Sequence, residues 1–129
     1  MRELEANFKN HCSKLGVNCI LRTSPSHDGS PYVEKIGRLF HWVVTEGGRE
    51  YQRKTTVSRS ELEYWLVSDV VSDLSIKYEL ENRVEGQDFR RIMFENRIEL
   101  MNSISPEWGN RIQKEIELIL KENPFNDGN

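Results

Sequence analysis

The sequence contains few of the residues on which metal centres and disulfide frameworks depend. Its 129 residues include two cysteines and three histidines, and these are too scattered to match any zinc-binding spacing. We therefore expect no structural metal, and no sequence feature calls for a cofactor.

Long apolar runs are also absent. No stretch approaches the roughly 18 apolar residues that a membrane-spanning helix needs. The first residues, MRELEANFKNHCSKLG, are polar and lack the apolar core of a signal peptide. We therefore expect a cytoplasmic protein that does not bind a membrane. In that compartment Cys12 and Cys19 are predicted to be reduced thiols, packed as small apolar groups.

Motifs for covalent catalysis and phosphate binding are missing. The sequence has no GxSxG, no glycine-rich phosphate loop, and no serine or cysteine in a suggestive order with a histidine and an acid. His27 and Asp28 are adjacent, but they lie in the segment TSPSHDGSP, which is typical of an exposed loop. We do not expect them to form a catalytic pair.

An excess of basic charge is absent as well. The formal net charge is −3, with +3 on residues 1–56 and −6 on residues 57–129. An acidic second half argues against nucleic-acid binding, which requires a basic face. It is compatible with a basic protein partner, or with acidic helices that are simply solvated.

The pattern that is present predicts one α+β domain over residues 1–129. Helical spacing over residues 2–15 is followed by three segments with strand periodicity, which predict a three-stranded antiparallel meander. Three C-terminal helices follow and are expected to pack on one face of the sheet. Predicted boundaries include strands at 32–36, 38–46 and 49–56, a Gly47-Gly48 turn, a helix cap at Ser58 or Ser60, a break near Glu85-Gly86, and a cap at Ser105 before Pro106.

A two-residue glycine turn would place Val44 opposite Tyr51 and Trp42 opposite Arg53. The inner face of the sheet would then carry Phe40, Trp42, Val44 and Tyr51, with Arg53 as its one charged residue. The outer face would carry His41, Thr45, Glu50, Gln52 and Lys54.

The long helix after the sheet has apolar residues over most of its circumference, and Asp69 and Asp73 lie within the apolar sector. Burying unpaired carboxylates is costly, so these aspartates need a cation. The supply of arginines favours an internal ion-pair network formed by Arg53, Asp69, Asp73, Arg83, Asp88 and Arg90. The alternative is a Mg²⁺ or Mn²⁺ site that uses Asp69, Asp73 and Glu79.

Several segments resemble the immunity protein 63 family of bacterial polymorphic-toxin systems. They are HWVVTEGGREYQRKTT, ELEYWLVSDV, YELENRVEGQDFRRIMF, SPEWGNRIQKEIELIL and the terminal NPF, which together span about residues 30–127. The resemblance implies a small cytosolic antidote without catalytic activity. It would bind the C-terminal toxic domain of a cognate toxin and protect the producing cell.

For such a protein we predict a toxin-binding surface on the acidic residues of the long helix and its C-terminal break, with a second patch on the outer sheet face. The residues are Glu61, Glu63, Glu79, Glu81 and Glu85, and His41, Gln52 and Lys54. A metal-dependent hydrolase or nucleotide-processing enzyme using Asp69, Asp73 and Glu79 is the alternative function. The sequence does not determine the oligomeric state.

Overall fold

The computed structural model describes residues 1–26 and 28–128, so the predicted loop residue His27 lies outside the described chain. Seven elements follow the predicted α+β order, which is confirmed. They are α1 (Arg2–Lys14), β1 (Asp28–Ile36), β2 (Leu39–Glu46), β3 (Arg49–Thr56), α2 (Arg59–Glu81), α3 (Phe89–Ile104) and α4 (Pro106–Glu122). The chain forms two compact units, Met1–Val67 and a second that begins at Ser68.

In the first unit, α1 buries Leu4, Phe8 and Cys12 at the predicted helical spacing. The prediction of two reduced thiols is wrong, because Cys12 forms a disulfide with Cys19. Gly16 has a φ of 75° and turns the chain at the end of α1. The Val17 N–H then donates to the Cys12 carbonyl at 3.0 Å, which brings the following segment back alongside the helix.

The sheet has the strand order β1-β2-β3, and both pairs are antiparallel. Gly47 and Gly48 form the predicted turn with φ values of 58° and 82°. The predicted register is wrong, because a β-bulge inserts Tyr51 between the pairs Thr45–Glu50 and Val44–Gln52. An extra residue moves every later side chain to the other face.

The bulge therefore reverses the predicted faces of β3. Lys54, and not Arg53, is paired with Trp42, whereas Tyr51 is 63% exposed. The central strand is also buried on both faces, since Trp42 and Val43 point to opposite sides and both are buried. Thr45, which we expected to meet water, is buried too.

Helix α2 begins after Ser58, whose hydroxyl accepts the Glu61 N–H at 3.1 Å. One line of buried positions runs along the whole helix at every fourth residue, through Glu63, Val67, Val71, Ser75 and Glu79, and Leu62, Tyr64 and Leu66 are buried beside it. This line advances about 40° around the helix at each step. By the second half of α2 it lies opposite Asp73, which is exposed, while Asp69 is only half-buried. The prediction that these two aspartates occupy the buried face is therefore wrong for Asp73.

In the second unit, α3 and α4 pack against each other and are joined by Ser105, which accepts the Trp108 N–H at 3.3 Å and caps α4. Met93, Phe94, Met101, Ile112 and Ile116 are buried. Phe89 and Ile119, in contrast, are 51% and 42% exposed. Within the described residues, no helix is long and apolar enough to cross a membrane.

Candidate functional site

The face of the sheet that carries His41 also carries a cluster around Arg53. Its guanidinium donates to Glu50 at 2.7 and 3.1 Å and to Glu34 at 3.1 Å, and it lies 2.8 Å from His41 Nδ1. Hydrogen bonds to Glu50 and then Glu34 raise the pKa of Arg53, and the bond from Arg53 lowers the pKa of the Glu50 carboxyl. Arg53 is thus paired with acidic side chains on the surface of the sheet.

Lys54 lies between two indole rings on the other face of the sheet. Its Nζ is 4.4 Å from the centre of the Trp42 ring and 4.5 Å from that of Trp65. Cations are attracted to the electron-rich faces of aromatic rings at such distances. Lys54 was predicted to be an exposed interface residue, but its ammonium group is engaged within the protein. Gln52, from the same predicted patch, is exposed.

Glu63 is buried where α1 meets the first turns of α2. It accepts a hydrogen bond from Asn7 Nδ2 at 3.1 Å, and His11 Nε2 and Arg59 Nε lie 3.4 and 3.5 Å from its carboxylate. Arg59 also pairs with Glu3. Glu63 therefore ties two helices together, whereas neighbouring Glu61 is half-exposed.

Glu79 is the second buried acid of α2. Its carboxylate accepts hydrogen bonds from Arg83 Nε at 2.9 Å and from Nη2 at 2.8 Å, and these bonds lower the pKa of Glu79. Both oxygens are occupied, so Glu79 is not free to bind a partner in this arrangement. The other two predicted acids near the end of the helix, Glu81 and Glu85, are exposed.

Asp88 and Arg90 hold the C-terminal tail against the start of α3. Asp88 caps α3 by accepting the Arg90 N–H at 2.9 Å, and it also accepts the Asn126 N–H at 2.9 Å. Hydrogen bonds, above all from the Arg90 side chain, lower the pKa of the Asp88 carboxyl. Arg90 in turn donates to the carbonyls of Asn123 and Pro124.

A second set of contacts holds the C-terminal tail beside Asp88 and Arg90, and the two sets together are here called the tail clamp. Arg91 makes a bidentate pair with Asp127, and its guanidinium lies 4.1 Å from the centre of the Phe125 ring. The sequence prediction did not include Asp127. The signal that was available is an acid three residues after the helix-stopping Pro124, in a chain that also carries the double arginine Arg90-Arg91.

The six-residue network of Arg53, Asp69, Asp73, Arg83, Asp88 and Arg90 stays a prediction, and its three arginines have different acidic partners. Arg83 pairs with Glu79, and Arg90 pairs with Asp88, but Arg53 belongs to the sheet cluster. Within residues 1–26 and 28–128, no three His, Cys, Asp or Glu side chains lie close enough together to hold a metal ion. Asp73 and Glu79, two of the three carboxylates of the alternative metal site, differ in exposure, since one is exposed and the other is buried.

Comparisons with known proteins give one informative result. No curated protein and no solved structure matches the chain. The family model described as Immunity protein 63 matches residues 37–118. The matched region includes Lys54 with its two tryptophans, the Glu79–Arg83 pair and the Asp88 cap, whereas α1 and the clamped tail lie outside it. Because the match spans more than half of the chain, this protein belongs to the immunity protein 63 family.

Proposed function

We propose that this protein binds the toxic domain of a cognate bacterial toxin and blocks its activity. It would thereby protect the producing cell from its own toxin and from that of sibling cells, within a polymorphic toxin system. The family match over residues 37–118 is the observation that supports this proposal. In this role the protein acts in the cytoplasm, and it neutralises the toxin by occupying its surface and not by catalysis.

The exposed residues at the end of α2 suit a binding role. Glu81 and Glu85 are exposed there, and Val84 and Phe89 remain 49% and 51% exposed. Exposed apolar side chains with a charged rim are typical of interface anchors. We retain Glu61, His41 and Gln52 as further candidate contacts. Glu63, Glu79 and Lys54 are less available for contacts with a toxin, because their charged groups already have partners within the protein.

A metal-dependent enzyme is less well supported. Asp69, Asp73 and Glu79 would have to converge on one ion, yet Asp73 is exposed and Glu79 is bound on both oxygens by Arg83. No specific observation favours this alternative.

Co-expression tests the proposed function. The partner is the C-terminal domain of the protein encoded by the gene immediately upstream, expressed with and without this chain. We expect rescue of growth and a complex on size exclusion, with a Kd of about nanomolar or below, the affinity expected of an antidote. Failure of the wild-type chain to rescue growth and to form a complex would refute the proposal.

Substitutions on the protein then test which of its surfaces contacts the toxin. Phe89→Ala combined with Glu85→Ala should weaken binding by about tenfold or more, as expected for an interface anchor. A matched pair on α4, Leu118→Ala with Glu117→Ala, removes similar exposed groups and should leave the affinity unchanged. Equal effects from both pairs would place the toxin elsewhere.

A further inference from the structure

The two edges of the three-stranded sheet differ in whether the rest of the chain covers them. At the β1 edge, the segment that follows Cys19 lies against the strand, and the Val33 N–H donates to the Arg22 carbonyl at 2.9 Å. At the β3 edge, no backbone hydrogen bond from outside the sheet reaches residues 49–53 or Thr55 among the described residues. The protein therefore covers one edge of its sheet and leaves the other open.

The bond at Val33 also shows which backbone groups of β3 point outward. In an antiparallel pair, successive residues direct their N–H and C=O groups to opposite edges of the strand. Because the Val33 N–H points away from β2, its partner Trp42 directs its own groups toward β3, where it is paired with Lys54. Arg53 and Thr55, the residues on either side of Lys54, therefore direct their N–H and C=O groups away from the sheet.

The open edge of β3 is regular between Gln52 and Thr56. The bulge at Tyr51 interrupts the ladder before this stretch, and Arg53 and Thr55 are exposed within it. Each of these two residues offers one N–H donor and one C=O acceptor. An open edge of this kind pairs with an extended segment of another chain, which then adds a strand to the sheet. The edge therefore selects a partner segment in the extended conformation.

Side-chain charge narrows the class of strand that can be added. The strand β3 carries Arg49, Arg53 and Lys54 against Glu50 alone, a net charge of +2. Opposite charges on neighbouring strands stabilise a sheet, whereas like charges directly opposite each other destabilise it. A second copy of β3, paired symmetrically about Arg53 or Lys54, would place two like charges directly opposite each other. An acidic strand avoids this repulsion and gains attraction instead.

We propose that the open edge of β3 accepts an acidic, extended segment of the toxin as a fourth strand of the sheet. This inference rests on the proposed function and names the partner chemistry of one contact. The backbone groups of Arg53 and Thr55 form hydrogen bonds with the added strand, and acidic side chains of that strand lie beside Arg53. Gln52, which we retained as a candidate contact, lies in the same stretch of β3.

Amide hydrogen exchange, measured by NMR with and without the toxin domain, tests this contact. In the free protein the amides of Arg53 and Thr55 should exchange quickly, whereas the Lys54 amide, which is bonded to Trp42 within the sheet, is the protected control. In the complex we expect exchange at Arg53 and Thr55 to slow at least about tenfold. The same measurement on the toxin domain should show a newly protected stretch with a net negative charge.

The outcomes separate the inference from the proposed function. If the complex forms and the exchange rates of Arg53 and Thr55 stay unchanged, the inference is wrong and the proposed function stands. A net positive charge on the newly protected toxin stretch would also overturn the inference. If the wild-type chain captures no toxin, the proposed function fails, and the inference fails with it.

A proline substitution provides the second readout. Thr55→Pro removes an outward N–H and keeps the bonds between β2 and β3, and edge strands tolerate proline at such positions. We expect toxin binding to weaken by about tenfold or more, because one hydrogen bond is lost and its acceptor is left unpaired. Thr55→Val keeps the N–H and should lose much less affinity. Equal affinities of the two variants would overturn the inference, and if Thr55→Pro does not fold, the exchange rates of the wild-type chain decide.

Sedimentation of the free protein tests a second copy of the chain as the competing occupant. We expect a monomer, because like charges oppose the pairing of two β3 strands. A dimer that Thr55→Pro dissociates would assign the open edge to a second copy and overturn the inference.

Discussion

Gly109 lies directly against Asn102 where α4 packs on α3. A Cβ atom built on Gly109 would fall 1.7 Å from Asn102 Oδ1 and 3.1 Å from Asn102 Cα. Gly109 is in a helix with ordinary backbone angles, so the glycine is needed for space and not for a positive φ. The side chain of Asn102 could move away, but its Cα could not without separating the helices.

Gly109→Ala should therefore destabilise the protein by roughly 1–3 kcal/mol, the usual cost of overpacking, despite the better helix propensity of alanine. Chemical denaturation measures the free energy of unfolding. Adding Asn102→Ala removes the closest clash and should recover part of the loss. Greater stability of the single variant would show that α3 and α4 do not approach this closely.

The position of Lys54 between Trp42 and Trp65 tests the register of the sheet. Lys54→Met keeps an apolar stem but removes the cation, so it should cost about 1 kcal/mol. Lys77→Met, at an exposed position of α2, is the matched control and should cost less. Thermal denaturation of both variants provides the comparison. Equal losses for the two variants would show that the Lys54 ammonium group gains nothing from the two rings.

Truncating Glu63 should lower the stability of the protein, whereas truncating Asp73 should leave it almost unchanged. Glu63→Ala leaves Asn7, His11 and Arg59 without their shared carboxylate, so we expect a loss of roughly 1–3 kcal/mol. Asp73→Ala changes an exposed side chain and should stay within about 0.5 kcal/mol of the wild type. Urea denaturation distinguishes the two. A large cost for Asp73→Ala would restore the buried-aspartate prediction.

The tail clamp should make stability depend on pH. Hydrogen bonds, chiefly from Arg90 and Arg91, lower the pKa values of Asp88 and Asp127. Carboxyls with lowered pKa values stabilise the fold above their unfolded pKa of about 4, and this contribution is lost as pH falls through the folded values. Denaturation between about pH 7 and pH 2 should therefore show stability declining below about pH 4.

Substitutions in the tail clamp test whether it causes the loss of stability at low pH. Asp127→Asn should reduce the pH dependence, and Arg91→Gln should have the same effect. The double variant should do no more than either single change, because both remove one interaction. Additive effects would mean that Arg91 and Asp127 act separately.

The disulfide between Cys12 and Cys19 should stabilise the attachment of α1. Closing a loop with a sequence separation of 7 residues corresponds to roughly 2–3 kcal/mol in the chain-entropy model. Denaturation with and without a reductant measures the difference, and mass spectrometry after alkylation counts the thiols. Two alkylated cysteines in protein taken directly from the cytoplasm, with unchanged stability, would support the prediction of reduced thiols for the cell.

Local patterns were enough to predict the elements of this protein. The Gly47-Gly48 turn, the Ser58 cap and the Ser105-Pro106 start of α4 depend on residues within a few positions of each other, and all three are confirmed. The family was also recognisable, because strings such as YELENRVEGQDFRR are unusual. The structure shows that the Asp88-Phe89-Arg90-Arg91 part of this string clamps the tail, which is a scaffold role.

Tertiary structure decided which side chains are inside. Helix α2 is apolar on most of its sides, so its periodicity could not choose between the face with Asp73 and the face with Glu63 and Glu79; only the packing partners did. One bulged residue, Tyr51, exchanged the positions of Arg53 and Lys54, because side chains alternate along a strand and no local signal marks the insertion. The groove between Tyr78 and Asn82 on one side and Ile92, Glu95, Asn96 and Glu99 on the other likewise arises only when residues about 10 to 21 positions apart are brought together by the fold.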